Sequence, residues 1–341
     1  MPASDFATSS YLYDLPPERI AQHARPRGES FLFVIGSDGS FSHRKLPDIV
    51  EYFSPGDVLV LNDTRVVAAR LKGQRSGQGK VEILVLDFSN EREFPALAKP
   101  GKRLRPGTRI MVGESTLEVV GRNGDEFRLR LVEGPNLPDL LREHGQIPLP
   151  PYIHRPLEPD DWQRYQTVYA TESGSVAAPT AGLHFTEEIL SGIRARGVEV
   201  VRLTLHVGWG TFRPVRVPDI RDHRMEQEHY RIPTDTALAI LSAKEQGRRV
   251  FVVGTTGTRA LEAWALDQGL REAWTSLFIY PGHRFAVPDI LLTNFHLPGA
   301  TPIMLTAAFC GRETILRAYA EALGMDYAFG SYGDAMLIWH P

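Results

Sequence analysis

Between Val66 and Val132 the chain reads as short strands and turns with no convincing helix. On both sides of that stretch, apolar strand-like runs alternate with helical stripes. Such a mid-chain change of pattern predicts two different building blocks. Residues 81–86 are rich in β-branched side chains and leucine, and Ser89-Asn90-Glu91 turns them toward residues 94–99. Gly113-Glu114-Ser115 separates 109–112 from 117–120. Asn123-Gly124, a strong hairpin signal, joins 119–121 to 127–132. Six strands and no helix predict a small antiparallel β-barrel over 66–151. The passage that closes it holds Pro148, Pro150, Pro151, Pro156 and Pro159. Proline removes backbone donors and stops regular structure, so this passage reads as a domain junction.

The flanks have a different pattern. Residues 58–61 form a continuous apolar run, as a strand buried on both faces requires, and 198–207 and 250–253 look similar. After Thr186, the side chains of Ile189, Leu190 and Ile193 share a helical face, Glu187 and Glu188 fill the first turn, and Gly197 is a stop. Further helices are predicted over 236–246 and 259–268, ending at Gly247 and Gly269. Ile315, Leu316, Tyr319 and Leu323 make another stripe before Gly324. The expected fold class is an α/β main domain with a mixed sheet, built from 1–65 and 152–341, with the barrel inserted between its halves.

Composition narrows the function classes. With 341 residues, 43% hydrophobic and 23% charged, the chain can bury a sizeable core and is not a disordered or coiled-coil protein. No apolar run approaches the roughly 20 residues of a bilayer span. Residues 1–22 have neither a basic nor an apolar leader region, so no secretory signal is expected. Cys310 is the only cysteine, which excludes an internal disulfide and a cysteine-rich zinc site and makes the cytoplasm the expected compartment. No zinc signature surrounds His223 and His229, and no metal is expected. The net charge of −3 argues against a general nucleic-acid coat protein. Its distribution is uneven: 65–150 carries +4, the rest −7, and 65–110 alone +7. That segment is either an electrostatic footprint for a polyanion or a solvated barrel surface.

Dense polar clusters follow several of the predicted strands, where open α/β sheets bind ligands. Asn62-Asp63-Thr64-Arg65 leaves the first strand, although an Asx-turn alone would explain Asn62 and Asp63. The loop 174–186 holds small residues, Thr180 and His184 before a helix start, where a neutral imidazole would be favoured and can act as a base. Period-2 alternation puts Arg202, Thr204 and His206 on one face of a strand that ends before Gly208-Trp209-Gly210. Gly254-Thr255-Thr256-Gly257-Thr258-Arg259 lies between a buried strand and a helix, a placement suited to an anion. Thr293-Asn294-Phe295-His296 and Ser331-Tyr332-Gly333-Asp334 flank apolar runs, and a carboxylate such as Asp334 in core-like sequence needs a partner. Physics alone reads this as a cytosolic α/β enzyme with a basic β module.

Read together, these clusters resemble a family, the S-adenosylmethionine:tRNA ribosyltransferase-isomerases of queuosine biosynthesis. The matching segments run nearly end to end. They include YDLPPERIAQHARPRGES (13–30), PGDVLVLNDTRVVAARLKG (55–73), KVEILVL (80–86), ALAKPGKRLRPGT (96–108) and GQIPLPPYIHR (145–155). They continue through RYQTVYA (164–170), GSVAAPTAGLHFT (174–186), LTLHVGWGTFRPV (203–215) and VGTTGTRALE (253–262). FIYPGHRF (278–285), LLTNFHLPGATPIMLTAAFCG (291–311) and SYGDAMLI (331–338) complete the set. Four positions depart from the family pattern: Phe31 stands for an arginine, Glu226 for a histidine, His283 for a tyrosine and Ala300 for a serine.

The resemblance implies an α/β domain with an inserted barrel, and a reaction. The ribosyl part of S-adenosylmethionine is transferred to the aminomethyl group of 7-aminomethyl-7-deazaguanine at the tRNA wobble position and isomerised to an epoxycyclopentane. Epoxyqueuosine-tRNA, adenine and methionine result. S-adenosylmethionine is consumed, no further cofactor is implied, and a monomer is expected. A base must take a proton from the 5′ carbon beside the sulfonium, and leaving adenine needs a donor. His184 is expected as base, with His206 as its partner or as the acid. Asp334 or Asp63 is expected to balance the sulfonium or bind the amine, and Tyr332 or Phe295 to face the cation. Asn62, Arg65, Thr180, Asn294 and His296 are expected around the substrate, and Gly254, Thr255, Thr256 and Arg259 at the methionine carboxylate. Lys99, Lys102, Arg103 and Arg105 are expected on tRNA phosphates. The alternatives are a noncatalytic tRNA-binding protein of the same fold and, from the strand–Gly254–helix passage, a nucleotide-cofactor oxidoreductase.

Overall fold

The computed structural model describes residues 3–75 and 79–341; the first two residues of the N-terminal stretch read above lie outside them. In chain order the first strands are β1 (Phe31–Ile35), β2 (Phe41–Lys45), β3 (Val58–Asn62) and β4 (Thr64–Val66). Then come β5 (Arg70–Arg75), β6 (Gly79–Val85), β7 (Glu93–Lys99), β8 (Arg109–Val112), β9 (Ser115–Asn123) and β10 (Glu126–Glu133). The last are β11 (Glu172–Ser175), β12 (Glu199–Leu205), β13 (Glu228–Arg231), β14 (Val250–Val253), β15 (Glu272–Thr275), β16 (Ile290–Asn294) and β17 (Ala335–Trp339).

Strands β5 to β10 close into a six-stranded antiparallel barrel in the order β10-β7-β6-β5-β8-β9. Along β10, Phe127, Leu129 and Leu131 point inward while the residues between them are exposed, the period-2 alternation of a one-sided strand. The β9–β10 hairpin turns on Gly124-Asp125, one residue later than expected, with Gly124 at φ +60°. The helix α1 (Leu137–His144) follows the barrel and packs on β5.

The nine-stranded main sheet runs β15-β13-β12-β3-β14-β16-β17-β1-β2. At its centre β12, β3, β14 and β16 are mutually parallel. The antiparallel pairings of β13, β15, β17 and β2 make the sheet mixed. Their alternation splits the core. Val58, Val60, Val250 and Val252 face helices α4 (Thr234–Glu245) and α5 (Thr255–Leu266). Leu59, Leu61, Phe251 and Val253 face α3 (Glu187–Ala195), which follows the short α2 (Asp161–Arg164) in the chain. Helices α6 (Thr301–Cys310) and α7 (Arg312–Gly324) cover β1, β16 and β17. The fold is the expected one: an α/β body with a mixed sheet, plus a small barrel. Among the described residues no helix is long and apolar enough to cross a membrane.

Candidate functional site

The four parallel strands point their carboxyl ends the same way. His206 follows β12, Asn62 ends β3, Gly254 follows β14, and Asn294 ends β16. The clusters read separately from the sequence are thereby brought to one edge of one sheet, where α/β folds bind ligands. A cleft of about 80 Å³ opens there. Thr180, Gly254, Thr255, Thr256, Asn294 and His296 line it, and Phe295 contributes to its wall. Gly254 caps α5 at φ +87°, a left-handed conformation that favours glycine, and so turns the start of α5 to the cleft.

His184 sits one side chain behind this wall. Its Nδ1 is 2.8 Å from Ser30 Oγ, and Asn294 Nδ2 meets its Nε2 at 3.1 Å. Thr180 Oγ1 donates to Asn294 Oδ1 (3.1 Å), which fixes the amide so that its NH₂ faces the ring. Nε2 is then the acceptor, and Nδ1 carries the proton and donates to Ser30. Burial lowers the pKa of His184 to about 4, with Arg164 and Arg27 acting in the same direction. His296 is pushed down to about 3 by burial and bonds Thr293 Oγ1 at 2.9 Å. Both rings are neutral at pH 7.

His206 faces elsewhere, into a wider cavity of about 520 Å³ at the seam between barrel and main sheet. Its Nδ1 lies 2.8 Å from Thr64 Oγ1, which is 2.6 Å from Ser175 Oγ. Ser175 in turn accepts the Val207 N–H at 2.8 Å. Burial and the neighbouring His229 lower the pKa of His206. A Cβ on Gly174 would come within 2.6 Å of its ring, so only glycine leaves it room. The two histidines share no hydrogen-bond partner, but Val207 lines both cavities.

Several expected ligand contacts have other partners. Asp334 is fully buried, and Oδ1 accepts Phe31 N–H (2.8 Å) and Arg25 Nε (3.1 Å) while Oδ2 accepts Ala328 N–H (2.8 Å). Burial raises its pKa, and the backbone donors and Arg25 pull it back. Asp63 accepts Thr204 Oγ1 (2.8 Å) and Thr171 Oγ1 (3.1 Å). Both carboxylates are committed to holding segments together instead of facing the cleft. Asn62 stitches β3 to β12 through Leu205 N–H and C=O, and reaches Thr256 Oγ1 at 3.3 Å. Arg65 donates to Ala170 C=O, and Tyr332 to Asp161, which Arg155 grips with both terminal nitrogens. The Phe295 ring packs edge-on and tilted among Phe33, Tyr319, Tyr327 and Phe329. Arg259 is buried against Glu228 and lines a small recess beside the cleft, with Nη2 unpartnered. Among the described residues no group of three or more His, Cys, Asp or Glu is arranged to hold a metal ion.

Lys99, Lys102, Arg103 and Arg105 are exposed, and none is held in an ion pair with a described residue. Other barrel arginines are paired: Arg70 with Glu82, Arg109 with Glu118, Arg128 and Arg130 with Glu93. Lys99, Lys102, Arg103 and Arg105 gather toward the barrel end remote from the seam, since β6 runs toward Leu86 at the seam and antiparallel β7 runs away from it. Ser30, Thr64 and Ser175 were not singled out from the sequence. Each lies inside a motif quoted above, but a lone hydroxyl carries no pattern of its own.

Comparison with known proteins agrees with this architecture. A family model described as queuosine biosynthesis protein matches residues 8–338. A relative from Pelotomaculum thermopropionicum, named S-adenosylmethionine:tRNA ribosyltransferase-isomerase, is 49% identical over 97% of this chain and 99% of its own. One of the same name from Clostridioides difficile is 46% identical over equal shares. The crystal structure of S-adenosylmethionine tRNA ribosyltransferase from Thermotoga maritima is 34% identical, covers 97% of this chain and 100% of its own, and has a TM-score of 0.56. The chain belongs to the queuosine biosynthesis protein family.

Proposed function

We propose that this protein is an S-adenosylmethionine:tRNA ribosyltransferase-isomerase, an enzyme that moves and isomerises the ribosyl group onto 7-aminomethyl-7-deazaguanine in tRNA. The observation that carries this reading is the convergence of the family's motifs on one sheet edge, around a neutral, hydrogen-bonded His184. The methionine end of S-adenosylmethionine enters the cleft, its carboxylate toward the start of α5. His184 takes the proton from the 5′ carbon: its Nε2 is the free-base nitrogen, and it becomes available when Asn294 bonds substrate in place of the ring. His206, neutral and at the seam, suits the opposite substrate, accepting a proton from the incoming ammonium of the tRNA base. The enzyme works as a cytoplasmic monomer and needs no cofactor beyond the consumed S-adenosylmethionine. In the proposed division, the body of residues 1–65 with 152–341 holds the cleft for S-adenosylmethionine, and the barrel 66–151 carries the tRNA-phosphate contacts.

Lys99, Lys102, Arg103 and Arg105 bind tRNA phosphates away from the wobble base. Replacing Lys99, Lys102, Arg103 and Arg105 with glutamine is expected to weaken tRNA binding and to reduce its salt slope by about one per lost contact. Affinity for S-adenosylmethionine stays at the parent level. An unchanged salt slope returns the patch to a merely solvated surface.

The reaction is tested by mixing protein, S-adenosylmethionine and tRNA bearing the aminomethyl base. Adenine release that requires the tRNA, with epoxyqueuosine in the nucleoside digest, is the expected result. tRNA binding without either product would favour the noncatalytic reading and point first to Phe31, Glu226, His283 and Ala300.

A further inference from the structure

The geometry points to the seam cavity as the pocket that takes the tRNA wobble base, splayed out of the loop and stacked between Trp274 of the main sheet and Phe88 of the barrel. This inference rests on the proposed function and adds the residues that receive its second substrate.

Trp274 lies on the edge strand β15 and is 64% exposed, yet it borders the cavity. An indole face open at the rim of a cavity is a platform on which a base can stack. His229 meets it edge-on at 5.3 Å, and Glu272 holds His229 at 3.3 Å. Behind His229 comes His206, its ring nearly parallel at 22° and 6.2 Å away. Three rings thus run from the rim of the cavity to the neutral histidine at its floor. Phe88 lies on the barrel side with Asp87 and Ser89. Single-stranded RNA is recognised by stacking unstacked bases on aromatic side chains and bonding their edges. A flat base between Trp274 and Phe88 leaves its edge to the amide of Gln227 and to the carboxylate of Asp87, whose oxygens also accept Ser89 N–H (2.8 Å) and Oγ (2.9 Å); both residues line the cavity. A carboxylate and an amide suit an edge that bears an N–H and an amino group. Buried Val207 lines both this cavity and the cleft of the other substrate, so one side chain stands between the aminomethyl arm and the ribose. The free cations at the far barrel end hold the rest of the tRNA at a distance, and the stacked base sets the register.

The test uses full-length protein and three tRNAs, with 7-aminomethyl-7-deazaguanine, guanine or no base at the wobble position. Trp274→Ala is expected to raise Kd for the first tRNA about 5- to 150-fold, the range of one lost base–aromatic stack. Phe88→Ala moves it in the same direction, and Trp274→Phe recovers most of the affinity. In Trp274→Ala, calorimetric affinity for S-adenosylmethionine and thermal stability stay at parent values, because that ring is 64% exposed; Phe88 also packs on the barrel core, so Phe88→Ala is read per folded molecule. On the abasic tRNA, Trp274→Ala has no effect. Affinity within twofold of the parent on the first tRNA, or an equal loss on the abasic one, overturns the inference. Binding is read apart from turnover. A parent that makes no adenine while Trp274→Ala still shows the base-dependent loss discards the activity and keeps the pocket.

Discussion

His184→Ala is expected to slow adenine release by about 10²- to 10⁴-fold, the contribution of a positioned general base. Binding of both substrates changes little, because the ring lies behind Asn294 and does not form the cleft wall itself. The pH profile separates base from prop. With its pKa lowered to about 4, His184 keeps its free-base nitrogen well below the usual histidine range. The acid limb of turnover is therefore expected near pH 4 instead of 6.5, and in His184→Ala that limb is lost along with most of the rate. Burying the neutral ring has a second consequence. The unfolded chain takes up a proton as pH falls from about 6.5 toward 4 while the fold does not, so this site's stability is present above 6.5 and is lost over that window. Near-parent turnover in His184→Ala, with the acid limb in place, would remove the residue from the mechanism.

Asp334→Ala is expected to act on the fold. Its three bonds join residues distant in sequence: Arg25, Phe31 N–H at the start of β1, and Ala328 N–H before β17. Removing a fully buried partner and leaving two backbone donors unsatisfied costs about 3–5 kcal/mol. Urea unfolding measures this directly, and kcat per folded molecule stays close to the parent's. Asp334→Asn retains an acceptor oxygen and loses less. A hundredfold fall in kcat with unchanged stability would return Asp334 to the substrate. Phe31 takes part in the same joint: Arg25 stacks over its ring at 4.7 Å, a cation–π contact.

The sequence carried the strands well, because burial on both faces leaves an uninterrupted apolar run. The 58–61 stretch is β3 and the 250–253 stretch is β14. Helix α5 begins at Thr255, ahead of the expected residue 259, since Gly254 at φ +87° is the cap and two threonines form the first turn. Strand β1 and helix α6 went unread: α6 is buried almost throughout, so it shows no 3.6-residue stripe. The site was legible as a set of strand ends and illegible as pairings. Asp334 needed a partner, but its partner Arg25 is 309 positions away, and Ser30 is 154 from His184. Such pairings depend on sheet order, which local pattern does not encode. The same limit hid the partners of Asp63, which bonds two threonines, and of Phe295, which packs among rings behind the cleft wall.

The most direct test gives the enzyme S-adenosylmethionine carrying two deuterium atoms on the 5′ carbon, together with tRNA bearing the aminomethyl base. The product nucleoside is then weighed after digestion. Removal of a proton from that carbon, followed by ring closure, predicts epoxyqueuosine one mass unit heavier than the unlabelled product, formed far more slowly by His184→Ala. A product retaining both deuterium atoms, or one formed equally fast without His184, would contradict the account.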